Sequence, residues 1–91
     1  MGGSSYLNIS GAATTVVVTG PGVLREICLN KAATSATMVI YDNTSAAGTK
    51  IASYTFSGND DGPATGLHDV RFQNGLTIVT TGTIDVTVVY N

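Results

Sequence analysis

Valine, isoleucine and threonine fall in short runs broken by glycine, asparagine or aspartate, and apolar residues never recur at helical spacing over the length of a helix. That pattern predicts about eight short strands, over residues 6–9, 14–18, 23–29, 37–41, 50–56, 67–72, 76–80 and 84–90. Strands this short and this closely spaced build a sandwich or a barrel. The fold class that follows is all-β, a small antiparallel β-sandwich of jelly-roll-like or Greek-key type. Ninety-one residues make one domain. We place it over residues 10–91, with residues 1–9 as a flexible N-terminal arm or an edge strand. The most helix-like stretch, residues 31–36, is short and small-sided and reads as a loop.

Three connections are marked by their chemistry. Residues 42–48 join two strong strands as a hairpin loop, in which Asp42 and Asn43 can bond their own backbone and Gly48 can take positive φ. Gln73-Asn74-Gly75 reads as a tight hairpin turn, because Asn-Gly populates the left-handed region such a turn demands. Gly20-Pro21-Gly22 forces a sharp change of direction, since Pro21 fixes φ and supplies no donor.

Alternation along the strands assigns their faces. Near the C-terminus Ile84, Val86, Val88 and Tyr90 share one face, and Asp85, Thr87, Val89 and Asn91 the other. Met38 and Ile40 oppose Thr37, Val39 and Tyr41 in the same way. Over residues 50–56 the aromatic face, Ala52, Tyr54 and Phe56, is expected to be core. The opposite faces still carry apolar residues, which suits sheets covered on both sides, the second cover being another subunit.

Charge is what the chain lacks. Charged residues make up 11% of it, against an average of about 25%, while the 43% of hydrophobic residues is ordinary. Thr, Ser, Gly, Asn and Ala fill the difference. A net charge of −2 leaves no electrostatic footprint for nucleic acid or anionic lipid. No stretch approaches the ~18 apolar residues of a membrane helix. A single cysteine, Cys28, rules out an intrachain disulfide and a Cys-based metal cluster. Small secreted domains commonly lean on disulfides, so assembly in a reducing cytoplasm, or support from a partner subunit, is expected. Met1-Gly2-Gly3-Ser4-Ser5 has no basic residue and no apolar run behind it, so it does not read as a signal peptide. Tyr6 stands where a myristoylation motif wants Ser or Thr. Asn8-Ile9-Ser10 and Asn43-Thr44-Ser45 match the glycosylation pattern, which matters only in a secretory pathway.

The candidate chemistry is thin. His68-Asp69 is the one catalytic-looking pair, but adjacent strand positions point to opposite faces, so the two cannot act as a base and its orienter. Asn59-Asp60-Asp61-Gly62 lacks the alternating oxygen ligands and distal Glu of a calcium loop. Thr19-Gly20-Pro21-Gly22 has no Lys-Ser/Thr pair after it and is a turn, not a phosphate loop. Cys28 sits between Ile27 and Leu29 as a small packed hydrophobe. Arg25, Glu26, Asp69 and Arg71 suit cross-strand or intersubunit ion pairs. We therefore expect no catalytic residue, no cofactor and no metal, and the chain is not read as an enzyme. A small domain with low charge and two semi-apolar sheet faces is best explained by assembly.

Thr19-Gly20-Pro21-Gly22-Val23-Leu24, the stretch from Ile40 through Asp42-Asn43-Thr44-Ser45 to Ile51, the stretch from Asn74 to Gly82, and the closing Val86-Thr87-Val88-Val89-Tyr90 together resemble small capsid decoration, or cement, proteins of tailed bacteriophages. The similarity spans most of the chain from Thr14 onward. It implies a compact β-sandwich, often trimeric, that sits on the capsid exterior and ties neighbouring major capsid subunits together, after assembly in the host cytoplasm. It brings no catalytic residues. The expected partners are the major capsid protein and further copies of this chain, with a homotrimer favoured, and no nucleic acid or membrane. Tyr6, Leu7, Asn8 and Ile9, with the β character to add a strand to a neighbour, are the candidate capsid or subunit interface. Two alternatives remain open on sequence: a tail, neck or fibre-associated virion protein, and a small carbohydrate-binding module displaying tyrosines on one face.

Overall fold

The computed structural model describes residues 5–30, 34–56 and 69–91. The described chain is all-β, with strands β1 (Ser5–Ser10), β2 (Ala13–Thr19), β3 (Gly22–Leu29), β4 (Thr34–Tyr41), β5 (Lys50–Phe56), β6 (Val70–Phe72), β7 (Gly75–Thr83) and β8 (Asp85–Tyr90). Two four-stranded antiparallel sheets result, in the orders β1-β8-β3-β6 and β2-β7-β4-β5. The first strand pairs with the last, the second with the next to last, the third with β6, and β4 with β5. Successive pairs alternate between the sheets. A long antiparallel ribbon rolled up in this way is a jelly roll, which resolves the choice between jelly-roll-like and Greek-key forms.

Two expectations need correction, and one pair of alternatives is decided. Thr34, Ser35 and Ala36 are not loop but the start of β4, because pairing of Thr34 with Thr83 of β7 overrides their weak local preference. Of the arm and edge-strand alternatives, residues 5–9 take the second: they lie in β1, the edge strand hydrogen-bonded along β8. Gln73-Asn74-Gly75 is a tight corner but not a hairpin turn, since β6 and β7 lie in different sheets. Neither Asn74 nor Gly75 adopts positive φ there. Residues 67 and 68 of the sixth expected strand fall outside the described residues.

The core is the space between the sheets. Leu24, Ile27, Phe72, Val86 and Val88 of the first sheet face Met38, Ile40, Leu76 and Ile78 of the second, all with no exposed surface. Tyr90, Val88 and Val86 share the inward face of β8 as alternation requires, and Tyr54 and Phe56 of β5 stack with ring centroids 6.3 Å apart. Simple alternation fails in β3, where Leu24 and Ile27 are both buried although three residues apart. A bulge between Leu24 and Glu26 inserts one extra residue and resets the register. The bulge keeps Arg25 and Glu26 out of the core, where unpaired charge would be costly. Further register shifts occur in the β2–β7, β4–β7 and β4–β5 pairs. In the last of these the extra residue is Ile51, so Ile51 packs against the core together with Ala52, although simple alternation would put the two on opposite faces.

Two glycines are fixed by close packing. A Cβ on Gly22 would lie 2.6 Å from the Phe72 ring and 2.9 Å from the Asn91 carbonyl oxygen, so the ring lies on the β3 backbone. Gly82 has φ +79 and passes directly against the Ser35 carbonyl, opposite the β4 irregularity where Ser35 itself takes φ 46.

Because Phe72 joins the short β6 to this core, Phe72→Ala is expected to cost about 3–5 kcal/mol, and Ile78→Val about 0.5–1.5 kcal/mol, in urea unfolding. Equal, small losses for both would contradict the assignment of Phe72 to the core.

Candidate functional site

The outer face of the second sheet is the least charged surface of the described chain. Its strands register Thr14 with Val79, Val39 and Ser53 in one row, and Val16 with Thr77, Tyr41 and Lys50 in the next. A third row carries Thr81, Thr37 and Thr55. Lys50, at the border, is the one charged residue in these rows. Val16 is 45% exposed, and the Thr37 and Thr81 hydroxyls bond each other at 2.6 Å. Thr77 is fully buried on this face because the 42–48 loop folds over it, its hydroxyl donating to the Asn43 carbonyl at 2.8 Å. The sequence showed that both faces of these strands are partly apolar. It did not show that nearly all the charge falls elsewhere.

Charge gathers on the first sheet. Arg25 pairs with Asp69, both partly exposed, and its Nε donates to the Asn91 side chain at 2.8 Å. An exposed pair of this kind contributes at most about 1 kcal/mol. Arg71 is exposed beside a shallow open depression bounded by Pro21, Gly22 and Val23. At the other end of the sheet the Asn8 and Asn30 amides both donate to Asp85 Oδ1, at 2.7 and 3.0 Å, and Asn30 also reaches the Thr87 hydroxyl. Of the four residues proposed as an interface, Tyr6 is 74% exposed, while Asn8 is committed to Asp85 and to the Val86 carbonyl. Leu7 packs against the core and Ile9 is 4% exposed within it. β1 thus offers Tyr6 and a backbone edge that no described strand pairs with, not all four side chains.

Other candidate chemistry is either separated or outside the described residues. His68 and Asn59-Asp60-Asp61-Gly62 lie outside them. Asp69 is taken by Arg25, and no group of three or more metal-ligating side chains occurs among the described residues. Tyr54 and Tyr90 pack against the core, so the described tyrosines do not form an exposed aromatic platform. Burial, helped by the hydrogen bond and charge of Glu26, whose Oε2 lies 3.5 Å from Sγ, pushes the Cys28 thiol up. Cys28 should therefore react with a disulfide reagent at neutral pH more slowly than glutathione, and Glu26→Gln should speed it.

The least anticipated element is Asp42. Its backbone N–H closes the loop by donating to the Thr49 carbonyl at 2.9 Å, but the side chain that bonds within the loop is that of Asn43, donating to the Ala47 carbonyl at 2.8 Å and accepting from the Thr44 N–H. The Asp42 carboxylate instead reaches the β6–β7 corner, accepting from the Asn74 N–H at 2.8 Å and the Gln73 N–H at 3.1 Å. The Asn74 amide above all, opposed by partial burial and aided by those of Gln73 and Gly75, holds this carboxyl below the usual carboxylate range. Gly20 N–H donates to the Asn74 carbonyl at 3.1 Å, so three connections meet at one end of the sandwich.

No family model, curated protein or solved structure matches the chain.

A depressed folded-state value means that the Asp42 contribution is present above the unfolded carboxylate range and disappears as pH falls through the folded value. Asp42→Ala should cost about 1–2 kcal/mol at neutral pH. The gap between variant and parent should close in acid, and urea midpoints measured across that range check it.

Proposed function

We propose that this chain is a structural virion protein that binds the outer surface of a phage capsid and stabilises it by bridging neighbouring major capsid subunits. It acts as a homo-oligomer, with a trimer favoured, and joins the shell in the host cytoplasm. The observation that carries this reading is the outer face of the second sheet, where threonine, serine and valine form continuous rows with one bordering lysine. Such a face sheds little hydration when covered. The exposed Tyr6 on the β1 edge adds an aromatic anchor, the residue type that most often dominates an interface. The sequence resemblance to decoration proteins points the same way, and the jelly roll is compatible with it, although a fold alone does not define a function. Many such contacts on one particle would hold by multivalency even if each were weak. The carbohydrate-binding alternative gains nothing from the tyrosines, two of which are turned into the core.

Removing residues 1–9 is not a clean test, because it takes Ile9 from the core and β1 from β8. Val16→Lys and Tyr6→Asp leave the core intact and should each lower retention on purified heads by about tenfold or more, with unchanged thermal unfolding. Peptide quantification on separated heads and tails gives the companion result. Hundreds of copies travelling with heads are expected; a few copies in the tail fraction would transfer the assignment to a tail or fibre protein.

A further inference from the structure

Asn74-Gly75 keeps a glycine that its conformation does not call for. Gly75 has no positive φ and begins an ordinary strand paired with Thr19. Packing requires it: a Cβ there would lie 2.8 Å from Thr44 Cγ2 and 2.9 Å from the Asn43 carbonyl oxygen. The Asn74 side chain meanwhile is exposed and makes no hydrogen bond to a described residue. An asparagine followed by glycine is the sequence in which the next backbone nitrogen meets least obstruction on its way to the side-chain carbonyl carbon.

We propose that Asn74-Gly75 is a latent self-modification site, and that the Asp42 carboxylate keeps it closed by tethering the backbone on which the reaction depends. The Gly75 nitrogen gives its proton to solvent base, and its electron pair attacks Asn74 Cγ. A carbon–nitrogen bond forms, and the side-chain nitrogen leaves as ammonia. The resulting succinimide is opened by water at either carbonyl, giving aspartate or isoaspartate at position 74. No oxidant or cofactor is needed.

Closure follows from the contacts. Asp42 holds the Asn74 and Gln73 N–H groups at 2.8 and 3.1 Å, while Gly20 N–H holds the Asn74 carbonyl at 3.1 Å. The peptide cannot then rotate to bring the Gly75 nitrogen onto Cγ. The carboxylate also opposes formation of a second negative charge on that nitrogen. Reaction, once it occurs, loosens the corner. Either product places a new carboxylate beside Asp42, and isoaspartate inserts a methylene into the main chain between β6 and β7.

The test is peptide mapping of the full chain held in mildly alkaline buffer at body temperature. The parent should stay intact at Asn74, and the same chain in urea should convert. Asp42→Ala, which loses the carboxylate's hold on both N–H groups, should convert about tenfold faster than the parent or more. Ile78→Val, weakened in the core instead, should stay intact. Conversion of Ile78→Val as fast as Asp42→Ala would assign the reaction to global opening and overturn the proposal. Equal rates in parent and Asp42→Ala would overturn it as well. Should Asp42→Ala prove unfolded, Asp42→Asn takes its place, and a native parent that converts as fast as the urea-treated chain ends the case.

Discussion

The pairing of β1 with β8 sets the terms for everything between them. Ser5 lies opposite Tyr90, so the outermost pair of the ribbon closes only when nearly the whole chain is in place. Of the pairs that make up the ribbon, only β4 and β5 join sequence neighbours. Each remaining pair adds loop-closure entropy before it gains any burial, which makes this a topology of high contact order. The chain meets that cost by giving almost every strand two partners or a place in the shared core. β3, for instance, pairs with both β6 and β8 and contributes Leu24, Ile27 and Leu29.

The local hairpin and the distant corner are joined by Asp42. Asp42 follows β4 directly, so forming the β4–β5 hairpin fixes the carboxylate in space. It then presents acceptors to two backbone N–H groups that the β6–β7 crossing would otherwise leave without strand partners. Asn74, held in that way, offers its carbonyl to Gly20 and so aligns the β2–β3 crossing. One carboxylate therefore links the single local pairing to two of the crossings between sheets. This is also why Asn-Gly appears where no hairpin exists: the glycine answers to Thr44 and Asn43, which the same loop brings down upon it.

The strand count and the two-layer class were legible in the sequence because both depend on period-two patterning and breakers, which are local properties. Which residues share a face in β4 and β8 was legible for the same reason, but not which face turns inward; Met38, Ile40, Val86 and Val88 are the fully buried set. Partner choice was not legible, and Gln73-Asn74-Gly75 shows why. A turn's dipeptide fixes how sharply the chain bends but not whether the two strands it joins share a sheet. Bulges were hidden for a related reason. The sequence Val23-Leu24-Arg25-Glu26-Ile27 carries two adjacent charges where alternation permits one, and that interruption was the available sign of the β3 register shift. At β1 the apolar residues were visible but their destination was not, since Leu7 and Ile9 serve the chain's own core as well as they would a neighbour's.

The threonine face of the second sheet differs from an ordinary solvated face in how its hydroxyls are used. Thr37 and Thr81 bond each other, and Thr77 bonds the Asn43 carbonyl, so these groups are satisfied before any partner arrives. An interface formed there need not supply matching donors and acceptors at those positions to avoid stranded polar atoms. It gains the methyl surfaces of threonine and valine without removing a cluster of ions from water. The same neutrality would leave a lone chain with weak colloidal repulsion, since little charge stands on this face to hold copies apart. A surface satisfied internally and poor in charge suits a covering partner better than exposure to water.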